Sequence, residues 1–104
     1  DANWRRKKDP VRYRYAEMKS SCVKHGHRIP DISLEDFRIW FEAQEQRCRI
    51  CDKTPQELRR KLDIDHNHNT GKLRGLLCWR CNTGLHFIEK PGFVEKAQRY
   101  LSCP

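Results

Sequence analysis

Apolar positions along the chain recur at two spacings. Val11, Tyr15, Met18 and Cys22 lie three or four residues apart, the period of one helix face. Asp9 stands before them as an N-cap, Pro10 at the first helical position, and Gly26 near the stop. Ser33 with Asp36 resembles a capping box that opens a second helix, with Leu34, Phe37, Trp40 and Phe41 on a broad apolar face. Thr54-Pro55-Gln56-Glu57 has the cap, proline and acidic third position of a short helix reaching about Arg60. The period then changes to two, because Leu62 and Ile64 alternate with Asp63 and Asp65 as in a strand. Asn67, Asn69 and Gly71 supply a turn, and Lys72 to Leu77 return as a second strand. A helix follows through Asn82 towards Phe87, weakened by Gly84. Pro91-Gly92 breaks the chain before Phe93, Val94, Ala97, Tyr100 and Leu101 mark a last amphipathic helix. The predicted class is α+β, with no internal repeat or low-complexity segment.

Composition adds a difficulty to this pattern. Leu, Ile, Val and Phe make up only about a fifth of the 104 residues, the edge at which apolar burial stops supporting a fold. The cysteines offer the missing support. Cys48-Arg49-Ile50-Cys51 and Cys78-Trp79-Arg80-Cys81 are two C-x-x-C knuckles, which together supply the four tetrahedral thiolates of a structural Zn²⁺ site. Two disulfides are the alternative, and they fit poorly in a chain without a secretion signal, since a cytosol keeps thiols reduced. Cys22 then reads as a small buried apolar residue and Cys103 as inert. The length suits one domain, no apolar run is long enough for a membrane, and a cytoplasmic site is expected. Residue 1 is Asp, so the chain is expected to be part of a longer protein.

The candidate chemistry lies between the knuckles. Asp65-His66-Asn67-His68 sits where the first strand meets its loop, and Asn82 directly follows Cys81. Neighbours in a strand point to opposite faces, so Asp65 and His66 need not share one task. Asp65 is a hard oxygen ligand and Asn82 offers a carbonyl oxygen, a sparse set that suits Mg²⁺ or Mn²⁺. A neutral His66 can take a proton from a water that attacks phosphorus. His86, four residues after Asn82, is an alternative ligand. Asn67 and Asn69 read as turn formers, His25 and His27 as a helix end, and Trp40 and Phe41 as core.

The run from Leu62 to Asn82 resembles the recombination endonuclease VII branch of the HNH, or ββα-metal, nucleases. Asp65-His66-Asn67-His68, Gly71-Lys72-Leu73-Arg74-Gly75-Leu76-Leu77-Cys78 and Cys81-Asn82 carry the resemblance, which extends over residues 48–86. It implies a small zinc-stapled ββα-metal core with flanking N- and C-terminal helices, one catalytic divalent cation and DNA as substrate. Position by position, Asp65 and Asn82 would ligate the cation and His66 would be the general base. His68 would contact the scissile phosphate or support the metal, and Cys48, Cys51, Cys78 and Cys81 would hold zinc. Leu85 departs from the family, whose type member carries an acidic residue there.

Charge supports a nucleic-acid partner. The formal net charge is +8, and +6 of it falls within residues 1–30. Arg5, Arg6, Lys7 and Lys8 form a basic arm, expected to be mobile, that continues into Arg12 and Arg14. Lys72, Arg74 and Arg80 lie nearer the candidate site. Such residues position DNA through its phosphates without reading sequence. The expected division is a DNA-binding leader over 1–47 and a nuclease core over 48–104. A homodimer is left open. Two other readings are a non-catalytic zinc module that binds nucleic acid and a zinc-stapled module whose basic arm meets an acidic protein.

Overall fold

A computed structural model describes residues 8–103, so Trp4, Arg5, Arg6 and Lys7 of the expected arm lie outside the described residues. The elements run α1 (Pro10–His25), α2 (Leu34–Glu42), α3 (Pro55–Leu58), β1 (Asp63–His66), β2 (Leu73–Leu77), α4 (Trp79–Ile88) and α5 (Phe93–Ser102). This is the α+β order expected from the spacing of apolar residues.

The caps act as their residue types dictate. Asp9 accepts the backbone N–H of Arg12 at 3.2 Å, and the Arg38 guanidinium grips the same carboxylate at 2.9 and 3.2 Å, tying α1 to α2. At the other end Gly26 takes the left-handed conformation, φ 68°. Its N–H bonds Val23 O, and the N–H of His27 bonds Cys22 O at 2.9 Å. These two bonds are a Schellman closure, which fixes where the residue after the glycine goes. Ser33 Oγ accepts Asp36 N–H at 3.1 Å, and Thr54 with Glu57 completes a reciprocal capping box. The helix opened by Thr54 ends at Leu58, short of the expected Arg60, because Arg59 turns left-handed at φ 55°.

β1 and β2 form one antiparallel hairpin in which Asp63 faces Leu77, Ile64 faces Leu76 and Asp65 faces Gly75. His66 then faces Leu73, so one step on β1 answers two on β2 and Arg74 is the extra residue. A bulge of this kind bends the strand and re-aims the side chains beside it. In the connecting loop Asn67 Oδ1 accepts the N–H groups of Asn69 and Thr70 at 2.9 and 3.0 Å, the turn-forming role expected of it.

Two small clusters form the core. Cys48, Leu62, Leu76, Leu77 and Cys78 make one, and Met18, Cys22 and Phe37 the other. Trp40, Phe41 and Ile64 pack against both and join them. The last helix forms as expected; Val94 and Ala97 are half-buried, but its other apolar residues are exposed among the described residues. Tyr100 and Leu101 are each 78% exposed, and α5 meets α4 through Phe93 on Phe87, with ring centroids 5.7 Å apart.

Candidate functional site

The two knuckles close on each other at one end of the hairpin. The sulfurs of Cys48, Cys51, Cys78 and Cys81 lie within 4.8 Å of one another, and Cys51 and Cys78 are 3.7 Å apart. Sulfurs on a tetrahedral zinc with Zn–S of about 2.3 Å would stand about 3.8 Å apart, so Cys51 and Cys78 already hold that spacing and the donor set suits zinc. Backbone donors support the thiolates: Ile50 and Cys51 N–H groups point at Cys48 Sγ, and Cys81 N–H at Cys78 Sγ, each at 3.4 Å. Burial raises the Cys48 thiol, but the backbone N–H bonds outweigh it and bring it down to about 6. Cys81 is pushed up to about 12 by burial and by its sulfur neighbours. Four thiolates this close need a cation between them.

The first knuckle also grips the hairpin. Arg49 N–H bonds Leu76 O at 3.0 Å, and its side chain lies across Gly75. A Cβ at Gly75 would come 2.6 Å from Arg49 Cδ, so a larger residue there must push the Arg49 side chain aside.

Beside the hairpin opens a cleft of about 570 Å³, walled by α1, β1 and α4. Asp65, His66, His68 and Asn82 all line it, so the expected site residues are brought together. Asp65 and His66, 6% and 8% exposed, are adjacent in a strand yet open onto the same cleft. Asp63 and Ile64 line it as well, so the cleft takes in both faces of β1.

Asp65 and Asn82 have protein partners. Arg74 holds the Asp65 carboxylate with both Nε at 2.7 Å and Nη2 at 3.1 Å, and reaches Glu89 at 3.0 and 3.2 Å. The two carboxylates, Glu89 first, raise the Arg74 guanidinium above its ordinary value. Asn82 Nδ2 donates to Asp63 Oδ2 at 3.2 Å, which leaves its carbonyl oxygen outside that bond. Asp65, Asn82 and the neighbouring Asp63 thus bring side-chain oxygens to the cleft, with the Asp65 carboxylate held by Arg74.

His66 is held towards its neutral form. Burial lowers its pKa most, followed by the charges His68 and His27 would carry, against which Asp65 pulls upward. Its Nε2 lies 3.6 Å from Cys22 Sγ. His27, which the sequence assigned only to a helix end, stacks on His68 with centroids 3.9 Å apart and stands 5.4 Å from His66. The His-Gly-His stretch at 25–27 was the available signal, because the Schellman closure turns the residue after Gly26 back onto the sheet. Asp63, Arg60 and Lys61 also line the cleft and were not singled out from sequence. His86 lines it too, 6.2 Å ring to ring from His68.

Two residues expected to contact DNA have partners within the protein. Arg14 is largely covered, bonded to Leu62 O, paired with Glu17 and set 5.6 Å over the Phe41 ring, so it braces α1 against β1. Arg74 is engaged by Asp65 and Glu89. Lys8, Arg12, Lys72 and Arg80 are exposed.

A model of the recombination endonuclease VII family matches residues 23–103. Over 51 residues the chain is 43% identical to the Gene 59 protein of Mycobacterium phage D29 and 45% identical to the Gene 59 protein of Mycobacterium phage L5. Each match covers 49% of this chain and 30% of the relative, so the chain spans under a third of the length of these relatives. No solved structure matches.

Proposed function

The chain belongs to the recombination endonuclease VII family, and from that premise we propose that it is a divalent-metal-dependent DNA endonuclease of the HNH, ββα-metal type. The observation that carries the reading is the meeting of Asp65, His66, His68 and Asn82 in one cleft whose strand and helix are both anchored at the cysteine cluster.

His66 is the general base. Buried and held neutral by its surroundings, it accepts a proton from the water that attacks phosphorus. Asp65 and Asn82 would hold Mg²⁺ or Mn²⁺, which when bound polarises the phosphate and stabilises the leaving 3′ oxygen. His68, at the open side of His66, orients the scissile phosphate. Products with 5′-phosphate and 3′-hydroxyl ends follow from cleavage of that bond. Zinc on Cys48, Cys51, Cys78 and Cys81 is structural: it ties the loop before β1 to the start of α4. Lys72 and Arg80, with Arg60 and Lys61 at the cleft, meet the DNA backbone, and residues 1–47 serve as leader to a core over 48–104. The phage relatives favour the cytoplasm of an infected bacterial cell as the site of action; no helix among the described residues is long and apolar enough to cross a membrane.

Nicking of supercoiled plasmid with Mg²⁺ or Mn²⁺ tests the reading, and undiminished cleavage by His66→Ala would overturn it. The clasp of Arg74 on Asp65 favours one rival, a zinc module that binds nucleic acid without cutting it. A gel shift with no cleavage under any divalent cation would establish that rival.

A further inference from the structure

We propose that His27, His66 and His68 form a second metal site, selective for borderline transition cations such as Zn²⁺, Co²⁺ or Ni²⁺ over Mg²⁺, and that its occupation withdraws His66 from proton transfer. The three imidazoles come from two distant segments, the turn after α1 and the end of β1, yet one ligating nitrogen from each lies within 4.8 Å of the other two. Nitrogens bound to one zinc at 2.0–2.1 Å stand roughly 3.4 Å apart, so an ion draws the rings together by at most about 1.4 Å. His27 and His68 are stacked, 19° from parallel, and must splay to aim at a common point. His68 is exposed and free to turn, whereas His27 is held at its backbone by Cys22 O and His66 by the hairpin.

The donor chemistry selects the ion. Imidazole suits zinc, cobalt, nickel and copper, while magnesium prefers carboxylate and water oxygen. Three protein ligands facing an open cleft leave a fourth position for water, unlike the closed set of four cysteines. The cleft therefore offers two kinds of cation two kinds of donor: oxygens from Asp65 and Asn82, nitrogens from the histidines. A lone pair of His66 given to a metal is not available to a proton. Binding of the second ion stands on the geometry alone, whereas its inhibitory effect rests on the nuclease reading.

The protein loaded with one equivalent of Zn²⁺ is titrated with Co²⁺ or Ni²⁺ and followed by calorimetry and visible absorption. Wild type is expected to take up one further ion without the intense thiolate charge-transfer bands of a cysteine site. His27→Ala and the size-preserving His27→Gln should weaken that step at least tenfold, each checked for fold by circular dichroism. A stoichiometry that stops at one ion, or equally tight second binding in both variants, would overturn the site. In the plasmid assay with Mg²⁺ in excess, the second ion should lower the wild-type rate at least tenfold, and in His27→Gln the ratio with and without it should lie near one. Second-site binding without loss of rate would overturn the inhibitory role. Absence of cleavage with Mg²⁺ alone would count against the nuclease reading instead, and the binding titration would still decide the site.

Discussion

The cysteine corner and the histidine corner lie at the two ends of one short hairpin, and they differ in every respect that matters to a metal. At the cysteine end Cys51 and Cys78 already stand at the spacing zinc requires, two of the four cysteines are core residues, and backbone N–H groups support the charge. At the histidine end the rings stack on one another, face an open cleft and need to move before they can ligate. One site is built as part of the fold. The other is assembled on it, with side chains that have work besides holding an ion. The contrast teaches that closure, more than the number of donors, separates a metal that holds structure from one that visits.

The most direct way to break this comparison is at the cysteine end. Cys48→Ser, or removal of zinc by a strong chelator, should abolish cooperative folding, since a structural site contributes on the order of 10 kcal/mol. Circular dichroism and thermal melting would read the loss, and a domain that keeps its fold without zinc would erase the distinction. At the histidine end the opposite result is expected. His66→Ala should slow Mg²⁺-supported cleavage by roughly 10²–10⁴ while the domain still melts cooperatively. Equal collapse of both variants would mean that the two corners do the same job.

Arg74→Ala sharpens the contrast from between the two ends. It strips the partner from Asp65, buried at 6% exposure, and should cost about 1–3 kcal/mol, less than a fully buried pair because Arg74 is one-third exposed. Mg²⁺ should then raise the melting temperature of the variant more than that of wild type. No added effect of Mg²⁺ would speak against Asp65 as its ligand.

Smaller effects belong to the helices that carry His27. Ser33→Ala removes the cap of α2 and should lower stability by about 1 kcal/mol in denaturant titration, without change in zinc content. Asp9 and Glu57 both titrate below their ordinary values, Asp9 chiefly through Arg38 and Glu57 through Thr54 N–H. The unfolded chain therefore takes up protons first as pH falls. Their contribution is present above about pH 4 and is lost as pH drops through the folded values. Asp9→Asn should flatten that acid limb, and an unchanged limb would remove Asp9 from the account.

Much of the fold was legible locally. Asp9-Pro10, Ser33, Thr54-Pro55 and the change of period at Leu62 mark element starts through bonds spanning three or four residues, and the structure places elements there. The four cysteines were legible because a knuckle is itself a local turn. What escaped depends on distance along the chain. His25-Gly26-His27 marks the turn that sends His27 back, but not that it meets His68, because that contact requires α1 to pack on the hairpin. The register slip at Arg74 is equally invisible, since Leu73 to Leu77 reads as an ordinary strand. The slip matters because the unmatched Arg74 is the residue that clasps Asp65. Arg14 and Arg74 were read by charge alone, whereas a carboxylate or carbonyl within reach claims each before any phosphate. The last helix shows the converse, for its apolar residues predict its existence and say nothing of what covers them.

The register slip sets a rule for anyone who would transplant this motif. A designer grafting Asp-His onto an idealised two-stranded template, with every residue matched to one partner, would lose the unmatched arginine and with it the clasp on the aspartate. The portable unit is not the pair at 65–66 but the pair together with the unmatched arginine across from it and the glycine that follows.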